Sequence, residues 1–164
     1  MIRITAGLHQ QIIADLRRPH AFAAERVGFV FAAKGTGQAQ RLVLCKRYAP
    51  VADEHYVDMR DVGAAINSEG LRVARQESLE TQDGIFHAHM HHVRGVPGFS
   101  RTDIAGYRAM LPAFRPMAKD MAHGAIIFSL DDAIGLVWWP DRPDPEKVPV
   151  RKVGFPMGIW GDHA

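Results

Sequence analysis

Four of the nine histidines fall within six residues, His87-Ala88-His89-Met90-His91-His92. Alternation with Ala88 and Met90 is the period of a β-strand, whose successive side chains point to opposite faces. A strand here sets His87, His89 and His91 on one face and turns His92 the other way. Same-face imidazoles one step apart can converge on a single ion. A catalytic zinc site typically takes three protein ligands from nitrogen, sulfur or carboxylate oxygen and leaves the fourth position to water. Two of these histidines plus one carboxylate would meet that requirement.

The surrounding pattern mixes helices with short-turned strands. Residues 2–6 read as a strand. Leu8, Ile12, Ile13 and Leu16 recur at helical spacing over 7–18, and Pro19 stops the run. Residues 26–33, rich in Val and Phe, read as a buried strand that forms a hairpin with 42–48 through a turn at 34–37. A helix is expected over 68–79, beginning as early as Val62. Residues 84–89 lead into the histidine run. Another helix opens after Ser100 and is interrupted by Pro112. Residues 125–130 and 133–139 flank Asp131-Asp132 as a hairpin, and 148–155 form a last strand. The expected class is α+β, with a mixed, mostly antiparallel sheet.

A length of 164 residues suits one domain, 1–164, with a core of its own. Apolar residues make up 47% and charged residues 23%, as in a globular chain. Twenty basic against eighteen acidic residues give no reason to expect nucleic acid as a partner. No apolar run approaches membrane-spanning length and no signal-peptide pattern opens the chain, so a cytoplasmic location with no membrane partner is expected. Cys45 is the single cysteine, which precludes a disulfide within this chain and fits a reducing compartment. Set in the run Leu42-Val43-Leu44, it reads as a small buried hydrophobe.

Two further segments carry candidate chemistry. Ser100-Arg101-Thr102-Asp103 stands before a helical pattern and suits a capping box. A carboxylate at a helix start can also turn towards an ion, so the two roles can coexist. Glu25 stands immediately before the strand at 26–33, where a surface charge is the ordinary reading of a glutamate.

In this order the three segments resemble the JAB/MPN (JAMM) zinc metalloproteases, of the prokaryotic JAB-domain type. Glu25-Arg26-Val27-Gly28 looks like the family's Glu-x-x-Gly strand opening. Gly84-Ile85-Phe86-His87-Ala88-His89 looks like its Gly-x-aromatic-His-x-His, and Ser100 to Asp103 is similar to its Ser-x-x-Asp. The resemblance runs over most of the chain. It departs in the proline usual after the second histidine, since Met90 or His92 stands there. Thirteen residues separate His89 from Asp103, and eleven separate His91 from it. The aromatic residue before His87 favours His87 and His89 as the pair, with His91 as the alternative ligand.

The resemblance implies a cytidine-deaminase-like MPN/JAB domain, with a sheet flanked by helices. It implies Zn2+ held by His87, His89 and Asp103, Glu25 as general acid/base, and Ser100 as the donor to the oxyanion. The implied activity is peptidase or isopeptidase cleavage after the C-terminal tail of a ubiquitin-like protein, by deconjugation or precursor processing. Partners would be that protein or its conjugates, with activating and conjugating enzymes of the same operon. Competing readings are a non-catalytic MPN scaffold or binding module and a metallo-β-lactamase-type hydrolase, whose Asp would be replaced by His91.

Overall fold

In the computed structural model, β1 (Ile2–Thr5) alternates buried and exposed residues, with Ile2 and Ile4 wholly enclosed. Thr5 ends the strand and caps α1 (Ala6–Leu16), its Oγ1 accepting the Leu8 N–H at 3.2 Å. The helix buries Leu8, Ile12 and Leu16 against β1, β3 and β9. Each such side chain contributes about 2 kcal/mol of apolar transfer free energy. The structure describes residues 1–19, 21, 23–35, 41–59 and 63–154, and the backbone of 158–160. Thr36, Gly37, Val62 and Phe155, which bound the expected turn, helix start and last strand, lie outside the described residues.

The hairpin expected near residues 26–48 is formed by β2 (Val27–Lys34) and β3 (Val43–Pro50), antiparallel, with a bulge at Phe31/Ala32. After a short 3₁₀ turn (Asp53–His55), β4 (Tyr56–Val57) and β5 (Ala65–Ile66) make a small hairpin of their own. Then come α2 (Ser68–Thr81), β6 (Gly84–Met90), α3 (Arg101–Phe114), β7 (His123–Phe128), β8 (Ala133–Trp138), β9 (Glu146–Val153) and β10 (Gly158–Trp160). Asn67 caps α2, its side chain accepting from Glu69 and Gly70.

The main sheet runs β1-β3-β2-β6-β7-β8-β9-β10, and β1 also pairs with β9, from Ile2↔Val150 to Thr5↔Val153. This second partner for β1 closes seven strands into a mixed barrel, with β10 outside the ring on β9. The expected α+β architecture, an MPN/JAB-type sheet flanked by helices, is therefore replaced by a closed seven-stranded barrel with three helices among the described residues. The pairing responsible joins the two ends of the chain, and an alternating pattern specifies which face of a strand is buried, not which strand lies beside it.

All seven barrel strands contribute to one cluster, including Ile4, Val30, Val43, Phe86, Ile126, Val137 and Val150, with Leu8, Ile12 and Leu16 of α1. Cys45 belongs to it, and burial pushes its thiol up to about 12, so it stays protonated and inert. Outside the barrel, α2 packs on β6 and α3 on β6 and β7, with Phe114 of α3 joining Phe29, Phe31 and Ile85 in a second cluster. Pro112 does not end α3, which continues to Phe114. The proline sits in the last turn, and Phe114 is anchored edge-on to Phe29 at 6.0 Å. That packing offsets the backbone hydrogen bond a proline cannot make.

Candidate metal centre

Period two along β6 places Phe86, Ala88 and Met90 in the barrel cluster and turns His87 and His89 outward beneath α3. His91 follows the end of the strand and stays in line because its N–H donates to the Phe128 carbonyl of β7 at 2.9 Å. The outward face opens into a cleft of about 670 Å³. Glu25, His87, His89, His91, Ser100 and Asp103 all line it, so every candidate site residue read from the sequence reaches one cavity, and Tyr107, which the sequence did not mark, joins them. Val27, Ile66, Leu71 and Met110 supply apolar walls.

Glu25, His89 and His91 each offer a ligand atom, and these atoms lie within 4.8 Å of one another. This group can hold a metal ion. His89 Nε2 and His91 Nε2 are 3.0 Å apart. Asp103 stands beside them, Oδ1 3.5 Å from His89 Nε2 and Oδ2 3.8 Å from His91 Nε2. Nitrogens at about 2.0–2.1 Å from a tetrahedral ion stand roughly 3.3 Å from each other, so the donor spacing fits such an ion. Glu25 Oε2 is the most distant, at 3.9 Å from His89 Nε2. His87 lies outside the group, one strand period deeper, with its ring centre 5.7 Å from that of His89. His91, the alternative in the sequence reading, lies inside it.

Each donor is held by its neighbours. His89 Nδ1 is 3.0 Å from the Tyr107 hydroxyl, which leaves Nε2 facing the cluster. Asp103 and Tyr107 are four residues apart on α3, hence on one face of the helix. Ser100 caps that helix: its Oγ accepts the Asp103 N–H at 3.0 Å, and Asp103 Oδ2 accepts the Ser100 N–H at 2.7 Å. The capping box and the placement of a carboxylate beside the imidazoles thus coexist. The loop between His91 and Ser100 is pinned to the β7–β8 turn, where Gly95 N–H donates to Asp131 Oδ1 at 2.7 Å and Leu130 N–H to the Val93 carbonyl at 2.9 Å.

Glu25 sits in the segment entering β2, its N–H donating to the Gly63 carbonyl at 2.8 Å. Arg26 anchors this segment, although nothing in the sequence marks it out. It is 5% exposed, pairs with Asp53 at 2.7 Å, and donates to the carbonyls of Arg18 and Pro19, each at 3.1 Å. Val27 N–H donates to the Tyr56 hydroxyl at 2.8 Å. At Gly28 an added Cβ would overlap the Tyr48 ring. That ring is held in place by a 2.6 Å hydrogen bond from its hydroxyl to Asp15 Oδ2.

Burial sets the charge states. It lowers His89 to about 4 against the opposing pull of Asp103, with His91 adding to the fall. It lowers His87 to about 3, with His89 adding a little. Neutral imidazoles are the form that binds metal. Glu25 is raised above the ordinary carboxylate range, chiefly by burial and further by Asp103, against the pull of His91 and His92. Burial, then the charges of Asp103 and Glu25, raise Tyr107 and keep its phenol protonated.

No helix among the described residues is long and apolar enough to cross a membrane. No family model matches the chain, and no curated protein matches it.

Proposed function

We propose that this chain is a zinc-dependent peptidase that hydrolyses an amide bond at the end of an extended peptide tail. The reading is carried by the meeting of Glu25, His89 and His91, whose ligand atoms lie within 4.8 Å of one another, with Asp103 beside both imidazoles at 3.5 and 3.8 Å. Two nitrogens and a carboxylate suit zinc, which supplies Lewis acidity and lets a water give up its proton near neutral pH. Glu25 lines the same cleft, 3.9 Å from His89 Nε2, within reach of a water that such an ion would hold. Its raised pKa suits a group that accepts the water's proton and returns it to the leaving amine. The Ser100 oxygen is engaged by the Asp103 N–H, so its own hydrogen remains to be donated to the developing oxyanion.

The small hairpin supports an extended substrate. Ala64, Ala65 and Ile66 line the cleft, and β5 pairs with β4 alone among the described residues. Its free edge offers backbone N–H and C=O groups to an added strand. The order of the Glu, His and Ser-x-x-Asp segments makes the glycine-ended tail of a ubiquitin-like protein the first substrate to try. Its activating and conjugating enzymes would then be working partners.

The decisive variant is Glu25→Gln. It should bind zinc as the parent does and lose about 10²–10⁴-fold in cleavage of a ubiquitin-like fusion, the range for a removed general base. Turnover that survives the change removes Glu25 from the mechanism. Loss of zinc with the change makes Glu25 a ligand instead.

A further inference from the structure

His87 is the cleft histidine that the proposed chemistry does not use. It lies on the same strand face as His89, in the same cavity. Phe29 meets its ring edge-on at 5.8 Å between ring centres, and Tyr107 lies at 5.4 Å. Its Nδ1 is buried and has no hydrogen-bond partner among the described residues, whereas the residue as a whole is only partly buried and lines the cleft. A neutral imidazole carries one hydrogen, on either nitrogen. Placed on Nδ1, that hydrogen would be a buried unpaired donor, a costly arrangement rarely seen in folded proteins. The tautomer with the hydrogen on Nε2 avoids this and presents an N–H to the cleft.

The neighbouring walls, Val27, Ile66, Leu71 and Met110, are apolar. A donor set beside apolar walls is how a cavity selects both the orientation and the chemistry of what enters it. We infer that His87 is a substrate-binding residue, its Nε2–H donating to a backbone carbonyl of the peptide residue seated in the cleft, with an apolar side chain of that peptide against Ile66 and Met110. This rests on the peptidase reading above.

The test uses zinc-loaded protein and two variants, His87→Phe, which fills the same aromatic niche, and His87→Gln, which restores an N–H. In the Phe variant, kcat/KM on a ubiquitin-like fusion should fall about tenfold, mostly through KM, and the Gln variant should return to within about threefold of the parent, as for one lost and regained hydrogen bond. Zinc stoichiometry should stay at the parent value in both. Unchanged KM and kcat in the Phe variant overturn the inference. So does loss of zinc there, which would make His87 a ligand.

A second arm separates this inference from the peptidase reading. Acetyl-Leu-Gly-Gly-amide is titrated into the Glu25→Gln protein, with and without His87→Phe, and the His87 ring ¹⁵N signals are followed by NMR. A shift at Nε2, with weaker binding in the double variant, supports the inference even if the parent cleaves nothing. Equal binding in the two proteins, or no binding at all, overturns it.

Discussion

The Tyr107 hydroxyl lies 3.0 Å from His89 Nδ1, and Tyr107 stands one helical turn beyond Asp103, whose Oδ1 lies 3.5 Å from His89 Nε2. One helix face therefore engages both nitrogens of one imidazole. With Nδ1–H donated to the phenol oxygen, the Nε2 lone pair is left for an ion.

Removing that hydroxyl should loosen the donor set without unfolding the chain. Tyr107→Phe is expected to weaken zinc binding by about 10–100-fold, as partners behind a metal-bound histidine commonly do. Competition with a chromogenic chelator measures it. An unchanged zinc affinity would mean that packing alone orients His89.

Arg26 holds the segment that carries Glu25. Arg26→Leu keeps much of the buried volume but leaves the carbonyls of Arg18 and Pro19 without their donor. A hydrogen bond from a charged donor contributes about 1.5–3 kcal/mol. Urea unfolding should show the loss, and cleavage should fall with it because the position of Glu25 is no longer held. A variant as stable as the parent would contradict this.

Acid should destabilise the zinc-free chain. His9 on α1 is lowered to about 4, first by burial and then by Lys152 and Arg17, and it lies 5.9 Å from the Phe128 ring. The unfolded chain takes up this proton near pH 6.5, whereas the folded chain resists until about pH 4. Stability is therefore full above about pH 6.5, falls as pH drops towards 4 and levels off below that. His87 and His89 act in the same direction. His9→Gln should flatten part of the slope in urea titrations at pH 7, 5.5 and 4.5. Parallel curves for variant and parent would show that His9 titrates freely in the fold.

Gly28 leaves room for the Tyr48 ring. Gly28→Ala should cost about 1–3 kcal/mol by overpacking. Combining it with Tyr48→Leu should cost less than the sum of the two single changes, because the clash goes with the ring. Additive losses would place the strain elsewhere.

The local patterns translated directly into elements. The spacing of Leu8, Ile12 and Leu16 made α1, and Ser100 with Asp103 made the capping box of α3. Alternation at residues 87–91 predicted the shared face of β6. The aromatic residue before His87 favoured His87, whereas the geometry brings His91 to 3.8 Å from Asp103. Both lie on that face, and only the position of α3 above it settles which is nearer Asp103. The short hairpin of β4 and β5 left no periodic signal, because two-residue strands are too short to show one. Arg26 carries no local signal because its oxygen partners come from residues 18, 19 and 53.

By itself the sequence determined the longer helices and strands and which faces they would bury, since these follow from side-chain spacing along a few turns or pleats. It also determined the inventory of donors: imidazoles two apart, a capping carboxylate and a glutamate before a strand. Tertiary structure alone decided that β1 lies beside β9 and closes a barrel, and that Glu25, His89, His91 and Asp103 meet in one cleft. Those facts depend on contacts between residues far apart in the chain, about which local periodicity carries no information.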